Sequence, residues 1–314
     1  MPAMITHYLL GRRMLPLSGL PAIKRQDAFL LGNQGPDLLY FFRAYPWLIG
    51  KAGLPLGNAL HKVQPSVLMN LIREVEAETT DEEKAIVHSY VQGFLCHYTA
   101  DRMIHPFVSY WQEQLKELRP AYATDDNPYH YYIESALDTL FLHYENGEYV
   151  TAFPLTKVLP KKDKMLEKAI AGFYHRLLHK ALGQTVSERL LRRLVSDMRQ
   201  SMRFMTDSTE LKGKLIRFYE RLCKKGAWYS SLLRTKEVED LDYPNLKHRL
   251  WLKGDDNLSK QDFYELCDEV VEAASKCLVA YENGEDGLAL TGDVDFAGQK
   301  FMQEGQNDET HSEL

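Results

Sequence analysis

The sequence predicts an all-α protein. Thr80-Asp81-Glu82-Glu83 has the capping-box pattern that opens helices, and a long helical pattern follows it. Two Asn-Gly steps, beginning at Asn146 and Asn283, follow further helical patterns where helices commonly end. The alternation of apolar and polar residues that is typical of strands is nearly absent. We therefore expect a multi-helix bundle.

The N-terminal part of the chain presents three polar side chains that later segments can meet. Residues 1–15 read as a short helix that carries His7, and residues 16–60 read as short helices between Gly- and Pro-rich loops. One tight turn, from Leu31, presents Asp37 at its exit. A second loop presents His61. These side chains become candidate ligands if another segment supplies partners.

Proline positions delimit the central helices. A helix is predicted from Pro65 to about Glu78, because proline suits the first turn of a helix. The helix that opens at the capping box should be kinked or broken near Pro106, because the residue before a proline disfavours helical geometry. It should resume toward Leu118, and a loop is predicted over 120–127.

The later chain adds more helices and a polar tail. A helix is predicted from Tyr129 to Tyr144, and residues 235–257 read as irregular. Further helices are predicted at about 161–182, 186–207, 209–225 and 259–282. We predict three regions: a helical core at 1–150 that carries the candidate ligands, C-terminal helices packed on it at 151–285 in the same or a second domain, and a disordered polar tail at 286–314.

Composition excludes several classes of protein. The chain has 314 residues, 45% of them hydrophobic, with a formal net charge of −6, and its basic residues are dispersed, which disfavours nucleic-acid binding. The cysteines form no paired spacing and are predicted to be free thiols: Cys96, Cys223, Cys267 and Cys277. The sequence predicts no signal peptide and no membrane-spanning run, so a cytoplasmic location is expected. Transient contact with a membrane surface stays compatible with this.

The most informative pattern is His97, Asp101 and His105, spaced four residues apart within the central helix. This spacing places all three on one helix face, with the histidines about 12 Å apart along the axis. That distance is too long for one ion, so the pattern favours a row of metals with Asp101 as a bridge. The alternative is a solvated polar face, but the flanking apolar residues argue for buried partners.

His130 and Glu134 form a second pair with the same spacing, on the next helix. The sequence suggests that this pair meets His105 on one ion. A second ion would be shared by His97, Asp101, Asp37 and His61, and a third by His7 and Asp101. Imidazole and carboxylate ligands suit zinc, and also manganese or iron.

The other histidines and one nearby acid serve as comparisons. His88 should face away from the row, and His143 lies near a helix end. His175 and His179 read as a solvated or packing face, and His248 is a weak candidate for a lid. Asp138 is predicted to orient a ligand or, more simply, to be an ordinary surface acid.

In order, His7, Gly-Pro-Asp37, His61, His97-x-x-x-Asp101-x-x-x-His105-Pro and His130-x-x-x-Glu134 resemble the zinc-dependent phospholipase C family over about residues 1–145. Single-strand-specific nucleases share that fold and its trinuclear site. The resemblance implies that Asp37, His61, His97 and Asp101 hold one zinc and that His105, His130 and Glu134 hold a second. His7 and the bridging Asp101 would hold a third with the N-terminal residue.

These observations predict a metal-dependent phosphodiester hydrolase in which an activated water attacks phosphorus. The resemblance places Asp37 beside that water, as general base. The expected substrate is a phospholipid or another phosphodiester, and the expected cofactor is zinc, up to three ions. Two alternatives stand beside it: a nuclease on the same scaffold, which the acidic balance disfavours, and a non-catalytic helical protein with a structural metal cluster.

Overall fold

Helices make up nearly all the regular structure of the described residues. The computed structural model describes residues 3–44, 53–118, 128–223, 228–238, 241–254 and 257–301. The α-helices within these ranges are α1 Met4–Met14, α2 Gln26–Gly32, α3 Gly53–His61, α4 Pro65–Ala77, α5 Asp81–Leu118, α6 Pro128–Asn146, α7 Lys164–Leu182, α8 Glu188–Leu191, α9 Leu194–Met205, α10 Leu211–Leu222, α11 Trp228–Ser231, α12 Phe263–Glu282 and α13 Gly287–Thr291. Two 3-10 helices, Gly35–Phe41 and Leu155–Val158, and an antiparallel pair of two-residue strands, β1 Trp251–Leu252 and β2 Leu258–Ser259, complete the set.

The 38-residue helix α5 is the axis on which the other elements pack. Helices α2, α6, α7 and α12 all lie against it. Where α2 crosses α5, the backbones approach closely at Gly32 and Gly93. A Cβ atom on Gly93 would lie 2.1 Å from the carbonyl oxygen of Phe29, so only glycine fits there. This close approach presses the turn after α2 onto the middle of α5.

Several sequence predictions are confirmed. The class is all-α, α4 begins at Pro65, and α6 runs from Pro128 to Asn146. Gly147 ends α6 in the left-handed conformation, with φ +65°, and its N–H donates to the carbonyl of His143. The loop predicted at 120–127 falls in 119–127, which lies outside the described residues.

Of the kink or break predicted near Pro106, the break does not occur, because α5 continues through Pro106 as one helix. Buried residues on both sides, among them Ile104 and Phe107, hold the helix against its neighbours. The carbonyl of Arg102, which a proline at position 106 cannot bond, lies against Gly298, where a Cβ atom would approach its oxygen to 2.5 Å. Tertiary packing here overrides the local preference.

Two boundaries in the later chain also differ from prediction. The helix predicted at 186–207 is divided into α8 and α9 by a tight turn in which the Arg193 N–H donates to the carbonyl of Leu190. The helix predicted to start at 259 begins at Phe263, because Ser259 pairs with Trp251 across the strand pair. Trp251 is buried against Phe107 of α5, which fixes this otherwise irregular stretch.

The predicted disordered tail is wrong for residues 286–301. Asp286 caps α13 through the N–H of Ala289, and Val294 pairs with Lys300 in an isolated bridge. Phe296 is buried and packs on Tyr98 of α5. Two aromatic residues, Phe296 and Phe301, in a Gly- and Asp-rich stretch give no periodic signal, which is why the sequence suggested disorder. Residues 302–314 lie outside the described part.

One hydrophobic cluster extends from Met4 to Phe296 and includes residues on both sides of position 150. Helices α7, α8, α9, α12 and α13 therefore pack on the same core as α1 to α6. None of the helices in the described ranges combines the length with the apolar character needed to cross a bilayer.

Candidate metal centre

Three groups of histidines and carboxylates lie side by side along one face of α5. The first joins His7, His97 and Asp101, the second joins Asp37, His61 and His97, and the third joins His105, His130 and Glu134. In each group the potential ligand atoms lie within 4.8 Å of one another. All eight residues singled out from the sequence are therefore brought together, although they come from five segments of the chain.

Asp101 occupies the centre of this row and faces two groups at once. Its Oδ1 lies 3.1 Å from Nε2 of His7, and its Oδ2 lies 3.3 Å from Nε2 of His97. Nδ1 of His105 is 4.0 Å from the same Oδ2. The two carboxylate oxygens thus point toward different histidines, as a ligand shared between two ions would require.

The turn after α2 brings Asp37 to α5. Gly35 has φ +48°, and a Cβ atom there would lie 2.2 Å from the His97 ring, so the turn approaches the histidine as only glycine allows. The carbonyl of Gly35 accepts hydrogen bonds from the hydroxyls of Tyr90 and Tyr174, on α5 and α7. These buried tyrosines fix the turn, and the 3-10 helix that follows carries Asp37.

The end of α3 brings His61 to the same place, with its Nε2 3.3 Å from Oδ1 of Asp37. The third group forms where α6 crosses α5. Nε2 of His130 lies 3.4 Å from Oε1 of Glu134, Nε2 of His105 lies 3.8 Å from it, and the two imidazole rings are stacked.

Four of these imidazoles share one orientation. Nδ1 of His97 donates to the carbonyl of Asn33 at 3.2 Å, and Nδ1 of His61 donates to the carbonyl of Gly57 at 2.8 Å. The other two follow the same rule, since Nδ1 of His105 donates to the carbonyl of Phe296 and Nδ1 of His130 to the side-chain oxygen of Gln112. A carbonyl oxygen can only accept, so each Nδ1 carries the proton and each Nε2 turns its lone pair toward a carboxylate.

A lone pair facing a carboxylate at this range is repulsive unless a cation lies between them. Nε2 of His97 and Nδ1 of His7 are buried and make no hydrogen bond within the described residues. The edge of a zinc tetrahedron with bonds of about 2.1 Å is roughly 3.4 Å long, close to the 3.3 Å between His97 and Asp101. The residues present therefore fit a zinc-type centre in donor chemistry, burial and spacing.

The surroundings of the candidate carboxylate ligands favour their ionised form. Burial opposes ionisation of Asp101, but the neighbouring His97 and His105 and a hydrogen bond from His7 keep its pKa well below the usual value. Burial likewise opposes ionisation of Glu134, and the nearby His130 contributes to lowering its pKa to about 2. The pKa of His105 is lowered, mainly by burial, which favours the neutral imidazole that a metal requires.

Sequence reasoning missed the groups that orient the ligands. Asn33, Gly57 and Phe296 act through backbone carbonyls, which any residue carries, so residue identity gives no signal for them. Phe296 also packs its ring 4.7 Å from that of His61. The one available signal was an isolated aromatic residue in a polar segment.

Asp138, predicted to orient a ligand or, more simply, to be a surface acid, is fully buried. Its Oδ1 accepts hydrogen bonds from the N–H and the hydroxyl of Thr6, and its Oδ2 is bonded by the guanidinium of Arg234. Thr6 precedes His7, so this carboxylate fixes the helix that carries a candidate ligand. The surface interpretation of Asp138 is wrong.

The comparison histidines lie elsewhere. His88 faces away from the row and bonds Glu76, His143 stacks on Tyr149, and His175 donates to the carbonyl of Val186. His248 lies near Asp262 and Glu265 on the exposed surface, apart from the three groups. The role of His248 as a lid stays a prediction.

An all-helical protein with three adjoining groups of imidazoles and carboxylates is, by class, a candidate multinuclear metal protein. A family model for zinc-dependent phospholipase C matches residues 6–191, more than half of the 314-residue chain. The chain therefore belongs to the zinc-dependent phospholipase C family. No curated protein and no solved structure matches it.

Proposed function

We propose that the protein is a zinc-dependent phosphodiester hydrolase of the phospholipase C type, with up to three ions held along α5. The proposed ligands are His7 with Asp101, then Asp37, His61 and His97 with the shared Asp101. The third set is His105, His130 and Glu134. Membership of the family supports the reaction class and a phospholipid substrate.

The observation that carries the proposal is the common orientation of four imidazoles, each held through Nδ1 so that Nε2 faces a carboxylate. A packing role would not require this uniformity, because either ring nitrogen can satisfy a buried contact. Ligand histidines are typically held in this way, through a hydrogen bond from the nitrogen that does not bind metal.

Zinc bound here would supply Lewis acidity toward a phosphate ester and would acidify water at neutral pH. The protein's own contribution is a rigid set of acceptors. Asp37 is our candidate general base, because the fixed turn before it brings its carboxylate beside His61 and His97. Burial opposes ionisation of the Asp37 carboxyl group, but the neighbouring His61 and His97 contribute to lowering its pKa, so it is ionised at neutral pH, as a proton acceptor must be.

The experiment that tests the proposal measures metal content and turnover on the same preparation of the full chain. We expect more than one zinc per chain, together with hydrolysis of phosphatidylcholine or a generic phosphodiester that stops when zinc is chelated and returns when it is restored. Metal-loaded protein that hydrolyses neither substrate would leave a structural cluster and overturn the hydrolase assignment. Faster cleavage of single-stranded DNA than of phospholipid would assign the nuclease function instead.

A further inference from the structure

Helix α10 presents its apolar side chains to solvent. Between 57% and 72% of each of five side chains is exposed: Leu211, Leu215, Phe218, Tyr219 and Leu222. Single exposed leucines are common on protein surfaces, but five large apolar residues on a twelve-residue helix form a continuous patch. We refer to these five residues as the α10 patch.

The spacing of the α10 patch confines it to one side of the helix. Leu211, Leu215, Phe218 and Leu222 follow steps of four, three and four residues, which on a helix give a single stripe about 60° wide, and Tyr219 widens it to roughly 100°. This is the pattern by which a helix normally faces a core. On α10 the stripe faces outward.

Polar contacts hold the opposite side of α10 to the protein. Glu220 is buried, and its carboxylate accepts the backbone N–H groups of Tyr229 and Ser230 at the start of α11. At the other end, the N–H of Gly213 donates to the side chain of Asp207 at 2.7 Å. These hydrogen bonds hold the polar side of α10 against the protein, so the apolar stripe is kept facing the solvent.

Apart from the buried Glu220, the charged residues of α10 are all basic. Lys214 and Arg221 are exposed along one edge of the stripe, and Arg217 lies behind them. Lys212, on the other edge, donates to the carbonyl of Phe204, and its ammonium lies 5.4 Å from the centre of that exposed ring. Glu220 is the one carboxylate of α10 and is buried, although the chain as a whole carries a net charge of −6.

We infer that α10 is an interfacial helix that docks this protein on an anionic phospholipid surface. An apolar stripe between basic edges is the pattern of helices that lie in the headgroup region, and Phe218 and Tyr219 add aromatic side chains suited to that depth. A second copy of this chain fits less well, because pairing two such helices face to face would bring positive edges together without a compensating carboxylate.

This docking surface is independent of the proposed hydrolase activity. Helix α10 follows the family-matched region 6–191 and contributes none of the candidate ligands. Helix α11, which α10 caps, is joined to the metal-bearing helix α6 by a hydrogen bond from Ser135 to the carbonyl of Ser231. Contact of α10 with a surface would thus be linked to α6 through α11. Helix α10 itself would take no part in the proposed hydrolysis.

The test is sedimentation of the full chain with vesicles of phosphatidylcholine alone or mixed with phosphatidylserine. We expect stronger binding to the mixed vesicles. Leu215→Ser combined with Phe218→Ser should weaken binding to mixed vesicles at least about tenfold, because two apolar side chains leave the membrane. Lys214→Gln combined with Arg221→Gln should weaken it roughly 25-fold on mixed vesicles and leave phosphatidylcholine binding unchanged.

Matched controls separate docking from general surface effects. Leu288→Ser changes an exposed leucine on α13 and Lys276→Gln an exposed lysine on α12, and both should bind as the unmodified chain does. Turnover of a soluble phosphodiester and the melting temperature should stay the same in all α10 variants. Equal binding to both vesicle types, or α10 variants that bind like the controls, would overturn the inference. A dimer that the Leu215/Phe218 variant dissociates, with no vesicle binding, would assign the patch to a second copy.

Discussion

Arg234 donates hydrogen bonds from Nε and Nη2 to one oxygen of Asp138, and both side chains are buried. The same carboxylate accepts the N–H groups of Ile5 and Thr6, at the start of the helix that carries His7. Arg234, which lies outside the family-matched region, thereby helps to fix the position of the candidate ligand His7. The Arg234–Asp138 pair should therefore affect both the stability of the fold and the candidate metal centre.

Asp138→Asn should destabilise the protein by about 3 kcal/mol, because it removes the buried negative charge that accepts hydrogen bonds from the guanidinium of Arg234. Zinc content should also fall, since the first turn of α1 loses its charged acceptor. Denaturant unfolding and metal analysis of the purified variant measure the two effects. Glu272→Gln, which removes an exposed partner of Lys276, is the control and should change stability by less than about 0.5 kcal/mol. A similarly small change in Asp138→Asn would contradict the role assigned to this pair.

Phe296→Ala should weaken the metal centre from a position outside it. The ring is buried against His61 and Tyr98, and its removal should cost about 3 kcal/mol and loosen the carbonyl that orients His105. Titration with zinc should then show weaker binding than in the unmodified chain. Lys300→Ala, an exposed residue of the same segment, should leave zinc affinity unchanged. Equal affinity in both variants would show that the 292–301 segment does not support the centre.

Asp37→Asn distinguishes a role of Asp37 as general base from a role as metal ligand. The amide keeps the shape and one oxygen but cannot take up a proton, so kcat should fall by about a hundredfold or more while KM changes little. Metal content measured on the same sample decides between the roles. Loss of zinc, together with a fall in kcat that is matched by an equal rise in KM, would make Asp37 a ligand only.

Removing metal should destabilise the fold. Without a cation, the buried carboxylates of Asp101, Asp37 and Glu134 face imidazole lone pairs at 3.3–3.4 Å, or must attract protons to relieve the repulsion. We expect a chelator to lower the melting temperature by several degrees and added zinc to restore it. A melting temperature that does not respond to the chelator would show that no ion stabilises this region.

The candidate ligands were accessible from sequence because helical periodicity fixes which side chains share a face. His97, Asp101 and His105 were grouped on this basis alone, and His130 and Glu134 followed by the same rule. Turn chemistry placed Asp37 near a glycine, and Gly35 does approach His97 as closely as only glycine permits.

What the sequence could not supply are features set by tertiary contact. Backbone acceptors such as that of Asn33 are independent of residue type, and the partnership of Asp138 with Arg234 joins positions 96 residues apart. Pro106 was expected to kink or break α5, and packing holds the helix without a break. The α10 patch was missed for a related reason, since an amphipathic pattern indicates a stripe without indicating whether it faces a core or solvent.

His88 provides a pH dependence outside the metal centre. Its Nδ1 lies 2.5 Å from Glu76 and its Nε2 lies 3.0 Å from Glu282, and the hydrogen bond to Glu76 raises the pKa of His88 against the opposing effect of burial. A raised folded-state pKa contributes stability that is fully present below the unfolded value of about 6.5 and is lost as pH rises through the folded value. The free energy of unfolding should therefore fall by about 1 kcal/mol more between pH 6 and roughly pH 9 in the unmodified chain than in His88→Gln.

His143→Gln, which replaces a ring stacked on Tyr149, should keep the pH profile of the unmodified chain. Parallel profiles for the unmodified chain and His88→Gln would show that His88 and its two carboxylates do not respond to pH as a linked group.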